Sequence, residues 1–200
     1  MRRSALLAWV RALGTVVLVL ALVVIPAAWY GAVVPFTQEV GFDMHLAYAP
    51  AARDVLDGTS PYPLELDGAE VLDEHAYAYP PFLAFAVVPL TVVSDATAGY
   101  IGAGAALLLV GLTLLVLGVR DWRCYGVALL WAPTYNGVQN ANISIVVALA
   151  LALAWRWRDR IWRPGAALGL GIALKLFAAP LLLWPLAMRR TRTATCITLN

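Results

Sequence analysis

One aspartate in an acidic stretch of the chain is the first candidate for chemistry. Nine of the twelve acidic residues, but only one of the fourteen basic residues, lie between residues 35 and 79. Asp43 comes soon after a long apolar segment, so its carboxylate would lie near a membrane surface. Such surroundings raise the pKa of a carboxylate toward values useful for taking a proton from a hydroxyl group. The alternative is a solvated loop aspartate. His45, two residues later, is compatible with a metal or a phosphate partner.

The only lysine of the chain, Lys175, lies in a strongly apolar segment. A cation at membrane depth costs about 3 kcal/mol even on lenient insertion scales, so an intramembrane lysine is a candidate functional residue. A lipid-linked phosphate at the bilayer surface would be a fitting partner. The alternative is a side chain that snorkels to the membrane interface.

A third candidate is a polar interruption between two apolar runs. Four amide side chains occur there within seven residues: Asn136, Gln139, Asn140 and Asn142. Amides in this position could hydrogen-bond a polar ligand such as a sugar, or they could satisfy open backbone groups in a simple polar turn.

Composition indicates that lipid is part of the solvent around these groups. Apolar residues make up 62% of the chain, charged residues 13%, and the mean hydropathy is +0.78. A net charge of +2 gives no reason to expect nucleic-acid binding. Cys124 and Cys196 do not suggest a disulfide framework or a metal site. No P-loop, nucleophile-elbow or dinucleotide-binding motif is present, which argues against a soluble nucleotide-sugar enzyme.

The apolar segments predict an all-α, polytopic integral membrane protein with five or six transmembrane or re-entrant helices. A span needs about 20 apolar residues. We expect a single membrane domain over residues 1–200, with a first span at 12–34 and an extracytoplasmic acidic loop at 35–79. Further membrane helices are predicted at 80–94, 96–119, 124–134, 143–155 and 165–188. Within the loop, residues 46–56 and 70–75 predict short helices lying on the membrane surface.

Arginines at the ends of these segments predict the orientation. Arg2, Arg3 and Arg11 place the N-terminus in the cytoplasm, so the acidic loop faces outward. If every apolar block crossed once, the later clusters at residues 120–123, 156–163 and 189–192 could not all be cytoplasmic. Some blocks must then be re-entrant, paired into a hairpin, or contrary to the rule.

An ordered series of short motifs resembles the membrane glycosyltransferases of the GT-C class, and among them family 87, the polyprenyl-phosphate-mannose-dependent mannosyltransferases. The series comprises Asp43, Tyr48, Ala51-Ala52, Asp57-Gly58, Pro61-Tyr62, Tyr79-Pro80-Pro81-Phe82, Pro89-Leu90, Pro133, Gln139, Asn140, Gly165, Gly169, Gly171, Lys175 and Pro180. The resemblance also implies that the chain corresponds to the N-terminal half of a longer protein.

The resemblance implies transfer of a sugar, mannose in the family, from a polyprenyl-phosphate donor to a glycan or glycolipid acceptor on the outer face of the cell membrane. Asp43 would be the catalytic base. Lys175, Arg53 and His75 would bind the donor phosphate. Tyr79, Gln139, Asn140 and Asn142 would contact the sugar or acceptor. No cofactor and no metal ligand is expected, and dependence on a divalent metal stays open.

Two other functions fit the same residues. A transporter or flippase-like protein could use Lys175 and the amides to line a path for an anionic solute. A non-catalytic membrane partner or fragment is the third interpretation.

Overall fold

The computed structural model describes residues 2–33, 40–62, 77–160 and 162–184. All regular secondary structure in these ranges is helical. Two helices, Leu7–Ala32 and Asp95–Val116, are long and apolar enough to cross a membrane. The predicted helix at 70–75, the loop segments 35–39 and 63–76 with His75, Cys196 and the arginines at 189–192 lie outside the described residues.

The first helix, α1, covers residues 2–33 and changes between α and π geometry at Leu20–Val24 and Trp29–Val33. Its leucines and valines are mostly exposed, as expected of side chains that face lipid. α1 packs against the later helix α5 (Trp122–Leu130) at Gly126. A Cβ atom at residue 126 would lie 2.2 Å from the carbonyl oxygen of Leu22, so glycine is needed for this approach. The Tyr30 hydroxyl donates to the Leu129 carbonyl at 2.8 Å.

The helix predicted at 46–56 is present as α2, residues 44–56, and Gly58, with a positive φ of 72°, follows its end. The position of α2 on the membrane surface stays a prediction. Tyr48, Ala51 and Ala52 are buried because α2 packs against α3 (Pro81–Val92) and α4 (Asp95–Val116). The largest buried apolar cluster includes these residues together with Leu83, Val147 and Leu174.

The remaining apolar blocks are more broken than the sequence predicts. The block at 124–134 is split at Trp131, where the backbone is extended before Pro133, into α5 and α6 (Ala132–Gln139). The block at 165–188 contains α8 (Arg163–Leu174), which ends at an extended Lys175 and is followed by a 3₁₀ segment, Leu176–Leu182. Lys175 therefore lies at a helix end and not inside a continuous span.

Helix α7 (Ser144–Arg156) and α8 form an antiparallel hairpin, and residues 157–160 and 162 belong to its turn. The open end of this hairpin brings Ser144 and Lys175 together. The start of α4 and the end of α6 reach the same place, because Gly41 contacts Gly99 in α4 and hydrogen-bonds Gln139. We call this the site end of the bundle.

The opposite end of the bundle follows from helix lengths. At about 1.5 Å per residue, the 22 residues of α4 place Val116 roughly 33 Å from its start. Helix α7 also starts at the site end, and its 13 residues place the α7–α8 turn roughly 20 Å from it in the same direction. Helix α3 differs, because it starts next to Tyr79 and is followed by Asp95, which pairs with Arg53 of α2. Both ends of α3 are at the site end, so this block does not traverse the bundle.

Candidate active site

A pocket of about 380 Å³ lies at the site end. Its polar groups are Asp43, Tyr79 and Lys175, which come from three separate parts of the chain. The other lining residues are apolar: Phe42, Leu46, Ala47, Ala78, Pro80, Leu176 and Phe177. The pocket therefore combines a carboxylate and an ammonium group with an apolar wall.

The backbone around Asp43 is fixed by the segment that follows α6. The Gly41 N–H donates to the Gln139 carbonyl at 2.7 Å, and the Asp43 N–H donates to the Asn140 carbonyl at 3.2 Å. Gly41 has φ of +82°, and a Cβ atom there would lie 2.3 Å from the Gly99 Cα. Glycine at both positions lets the loop touch helix α4 backbone to backbone.

The side chain of Asp43 is held by two donors that reach the same oxygen. Asn142 Nδ2 donates to Asp43 Oδ2 at 2.5 Å, and the Tyr48 hydroxyl donates to it at 3.3 Å. Burial raises the pKa of Asp43 above its usual value, while these two hydrogen bonds and the charge of Lys175 act in the opposite direction. A raised pKa is what a base needs if it is to hold the proton it takes.

Lys175 reaches the pocket from the break between α8 and the 3₁₀ segment. Its Nζ donates to Ser144 Oγ at 3.0 Å and lies 5.5 Å from the centre of the Tyr79 ring. Among the described residues, Lys175 forms no salt bridge with a carboxylate. Lys175 also lines the pocket, so an anionic ligand bound there would be close to its charge.

Tyr79 belongs to an aromatic cluster that closes one side of the pocket. Its ring packs edge-to-face on Tyr48 at 5.1 Å and contacts Tyr77 at 5.7 Å. The Tyr62 hydroxyl donates to the Tyr79 carbonyl at 2.8 Å. These contacts order the segment that leads from the acidic loop into α3.

The structure brings together only some of the residues predicted as a site. Asp43, Lys175 and Tyr79 share the pocket. Arg53 is not among its lining residues, because its guanidinium pairs with Asp95. His75 lies outside the described residues, so its predicted role is not addressed.

The predicted sugar-binding amides have a different environment from the one expected. Gln139 and Asn140 hold the loop through their backbone carbonyls, and the Asn140 side chain donates to Asn136 Oδ1 at 2.6 Å. The Asn142 side chain is bonded to Asp43. The side-chain amides of Asn140 and Asn142 therefore bond protein groups, and binding of a sugar by the three amides stays a prediction.

Sequence reasoning missed two residues as site members. Tyr48 appeared only within the family-like series of motifs, and its contact with Asp43 was not foreseen. Ser144, which accepts the hydrogen bond from Lys175, carried no sequence signal because a single serine at a helix start is commonplace.

His45 does not join this site. Its Nε2 atom is buried, has no hydrogen-bond partner among the described residues, and faces Gly99, where an added Cβ atom would lie 2.6 Å away. In the described ranges no group of three histidine, cysteine or acidic side chains is placed to hold a metal ion.

Comparison with known protein families identifies the family of this chain. The model of glycosyltransferase family 87 matches residues 77–199. This is more than half of the chain, and the chain belongs to that family. The match includes Tyr79, the segment 139–144 and Lys175, whereas Asp43 and Tyr48 precede it. Neither the comparison with curated proteins nor that with solved structures found a match.

Proposed function

We propose that the protein transfers a sugar from a lipid-linked phosphate donor to a hydroxyl group of an acceptor, with Asp43 as the base and Lys175 at the donor phosphate. The observation that carries this proposal is the position of both charged groups in one pocket. Family membership supplies the reaction class, glycosyl transfer.

The pocket suits a donor that is charged at one point and apolar elsewhere. Next to Lys175, the side chains of Leu176 and Phe177 are 66% and 80% exposed, and Phe42 is 39% exposed. A nucleotide sugar would place a base, a ribose and two phosphates against this surface. A lipid phosphate places one anionic group at Lys175 and an alkyl chain along the apolar residues, so the chemistry of the wall favours it.

The proposed reaction balances without a cofactor. Asp43 takes the proton of the acceptor hydroxyl, and the oxygen attacks the anomeric carbon from the face opposite the donor phosphate. The bond from that carbon to the phosphate oxygen breaks, and the phosphate leaves with the bonding electron pair. The Lys175 ammonium stabilises the developing charge. A single displacement of this kind inverts the anomeric configuration.

The finer identity of the substrates rests on the family resemblance. We propose a polyprenyl-phosphate sugar, with mannose as the sugar, and a glycan or glycolipid as the acceptor. We propose that Tyr79 contacts the sugar, because it lines the pocket with Asp43 and its ring centre lies 5.5 Å from Lys175 Nζ.

We also propose that the protein is a multi-pass protein of the cell membrane with a cytoplasmic N-terminus and an extracytoplasmic site. Because α3 returns to the site end, the remaining crossings put the arginines at 120–123 and 156–163 at the far end of the bundle. Helix α1 runs parallel to α5, so Arg11 belongs to that end as well. One cytoplasmic face would then carry Arg11 and the arginines at 120–123 and 156–163, in agreement with the rule that cytoplasmic ends are rich in arginine.

The topology can be tested by cysteine labelling in intact cells. With Cys124 and Cys196 replaced by serine, Thr59→Cys would report the site end and Arg158→Cys the far end; both positions are exposed. A membrane-impermeant maleimide should label residue 59 in intact cells and residue 158 only after lysis. Labelling of residue 158 in intact cells would overturn the orientation.

The reaction can be tested in membranes containing the protein. Radiolabelled polyprenyl-phosphate mannose, polyprenyl-phosphate glucose and a nucleotide sugar would be supplied in parallel. We expect product only from the lipid-linked donors, and none with Asp43→Asn. Asp57→Asn, which changes an exposed loop aspartate, is the matched control and should keep wild-type activity. Full activity of Asp43→Asn would remove Asp43 from the mechanism.

A further inference from the structure

The two donors to Asp43 Oδ2 are themselves held by the start of helix α7. The Tyr48 hydroxyl accepts the Ile143 N–H at 3.2 Å, and Asn142 Oδ1 accepts the Ser144 N–H at 2.9 Å. Each donor therefore connects a backbone amide of the α7 N-terminus to the carboxylate. Chains of this kind polarise each link, which strengthens the final hydrogen bond to an anion.

Both connections end on one oxygen of the carboxylate. Asp43 Oδ1 accepts no hydrogen bond from the described residues, and Asp43 is part of the pocket wall. The backbone of the same residue is fixed by Gln139 and Asn140. One short segment, residues 139–144, thus holds the main chain of Asp43. The same segment holds its side chain, directly through Asn142 and indirectly through Tyr48.

We infer that Tyr48 and Asn142 are positioning residues that fix the Asp43 carboxylate by Oδ2 and leave Oδ1 as the oxygen that receives the acceptor proton. This inference rests on the proposed function for its catalytic meaning, but the arrangement it describes can be measured without any reaction. It assigns Asn142 to the base and not to the sugar.

Other charged or titratable groups near Asp43 also influence the pKa of its carboxylate. Lys175 reaches the pocket from the end of α8, Tyr79 from the segment before α3, and His45 from the same turn as Asp43. Helix α4 contributes the glycine backbone of Gly99 at its contact with this turn. The substitutions below leave all of these groups in place.

The test compares Tyr48→Phe and Asn142→Leu with a matched control, Tyr77→Phe. Tyr77 is 5% exposed, belongs to the same aromatic cluster, and donates its hydroxyl to the Pro80 carbonyl at 2.8 Å. Its substitution removes a buried tyrosine hydroxyl without touching Asp43. The control therefore separates a general loss of packing from a specific loss of the bonds to Oδ2.

The first measurement is the titration of the Asp43 carboxyl carbon by NMR in detergent micelles, with aspartate labelled by carbon-13 and the signal assigned from Asp43→Asn. The lost hydrogen bonds favour the charged form, so the pKa of Asp43 should rise in Tyr48→Phe and in Asn142→Leu and stay unchanged in Tyr77→Phe. Unchanged titration in both test variants would overturn the inference, whether or not sugar transfer is observed.

The second measurement is the pH dependence of sugar transfer. Each test variant should lower the turnover rate about ten-fold at neutral pH, with little change in the KM for the donor, and shift the acidic limb to higher pH. If the wild type transfers no sugar, the proposed function fails while the titration still decides the positioning role. An unshifted acidic limb with unchanged turnover in both variants would contradict the role of these residues in catalysis.

Discussion

Substitution of Gly99 by alanine should displace the proposed base without touching it. Gly99 lies in α4, where the loop that carries Asp43 crosses the helix. An added Cβ atom would lie 2.6 Å from both His45 Nε2 and the Val40 carbonyl oxygen, and 3.3 Å from the Gly41 Cα. Ordinary contact begins at 3.4 Å, so the loop has to retreat by about 0.8 Å.

The expected magnitudes follow from two opposing effects. Alanine in a helix interior gains about 1 kcal/mol over glycine, and overpacking costs about 1–3 kcal/mol. The net change in the free energy of unfolding is therefore small, from no change to a loss of about 2 kcal/mol. Activity should change much more, because a shift of about 1 Å in a catalytic group can cost a factor of about 100.

Gly104 in the same helix provides the control. It has no atom within 4 Å of an added Cβ, so Gly104→Ala should gain up to about 1 kcal/mol of stability and keep wild-type transfer. Thermal unfolding in detergent and the transfer rate in membranes would be measured for both variants. If Gly99→Ala transferred sugar as fast as Gly104→Ala, the loop would not be fixed by this contact and the reasoning would be refuted.

Three further predictions concern the charged groups. Burial raises the pKa of Asp43, so the folded protein binds this proton more tightly than the unfolded chain, and stability should fall as pH rises from 3.8 through the higher folded value. Asp43→Asn should remove this loss of stability, which thermal unfolding of both proteins at a series of pH values from 3.8 upward would measure. An identical pH dependence of stability in the two proteins would contradict the prediction. Lys175→Met should lower transfer at least about 100-fold, with Lys175→Arg less impaired, because the departing phosphate loses its cation; equal rates in Met and Arg variants would exclude a role for the charge. Arg53→Gln should cost less than about 1 kcal/mol of stability, because its ion pair with Asp95 is exposed, and should slow transfer no more than about two-fold. A large and selective rise in the donor KM of that variant would restore its predicted role at the phosphate.

Several features were predictable because they depend on local composition. Runs of leucine, valine and alanine predict helices, and the excess of apolar residues predicts lipid around them. The helix predicted at 46–56, from its periodicity and from the Asp57-Gly58 stop signal, is observed at 44–56. Lys175 was singled out because a cation inside an apolar run is costly, and Asp43 because a carboxylate near the membrane surface could take a proton from a hydroxyl group.

The breaks inside apolar blocks were less predictable. Pro133 and Pro180 indicate that helices are interrupted nearby, but proline does not say which residue becomes extended. In the structure the extended residues are Trp131 and Lys175. At Lys175 the break frees the side chain to reach Ser144, a contact across 31 residues that no local pattern contains.

The sequence by itself determined the chemistry available to this protein: one lysine, an aspartate after the first span, and amides in a polar interruption. Only the tertiary structure decided which of these groups meet. Asp43 and Asn142 are 99 residues apart in the chain, and their contact depends on the close approach of Gly41 to Gly99 and on the pairing of α7 with α8. Such contacts depend on packing between distant segments, so they cannot be inferred from residue type and spacing along the chain.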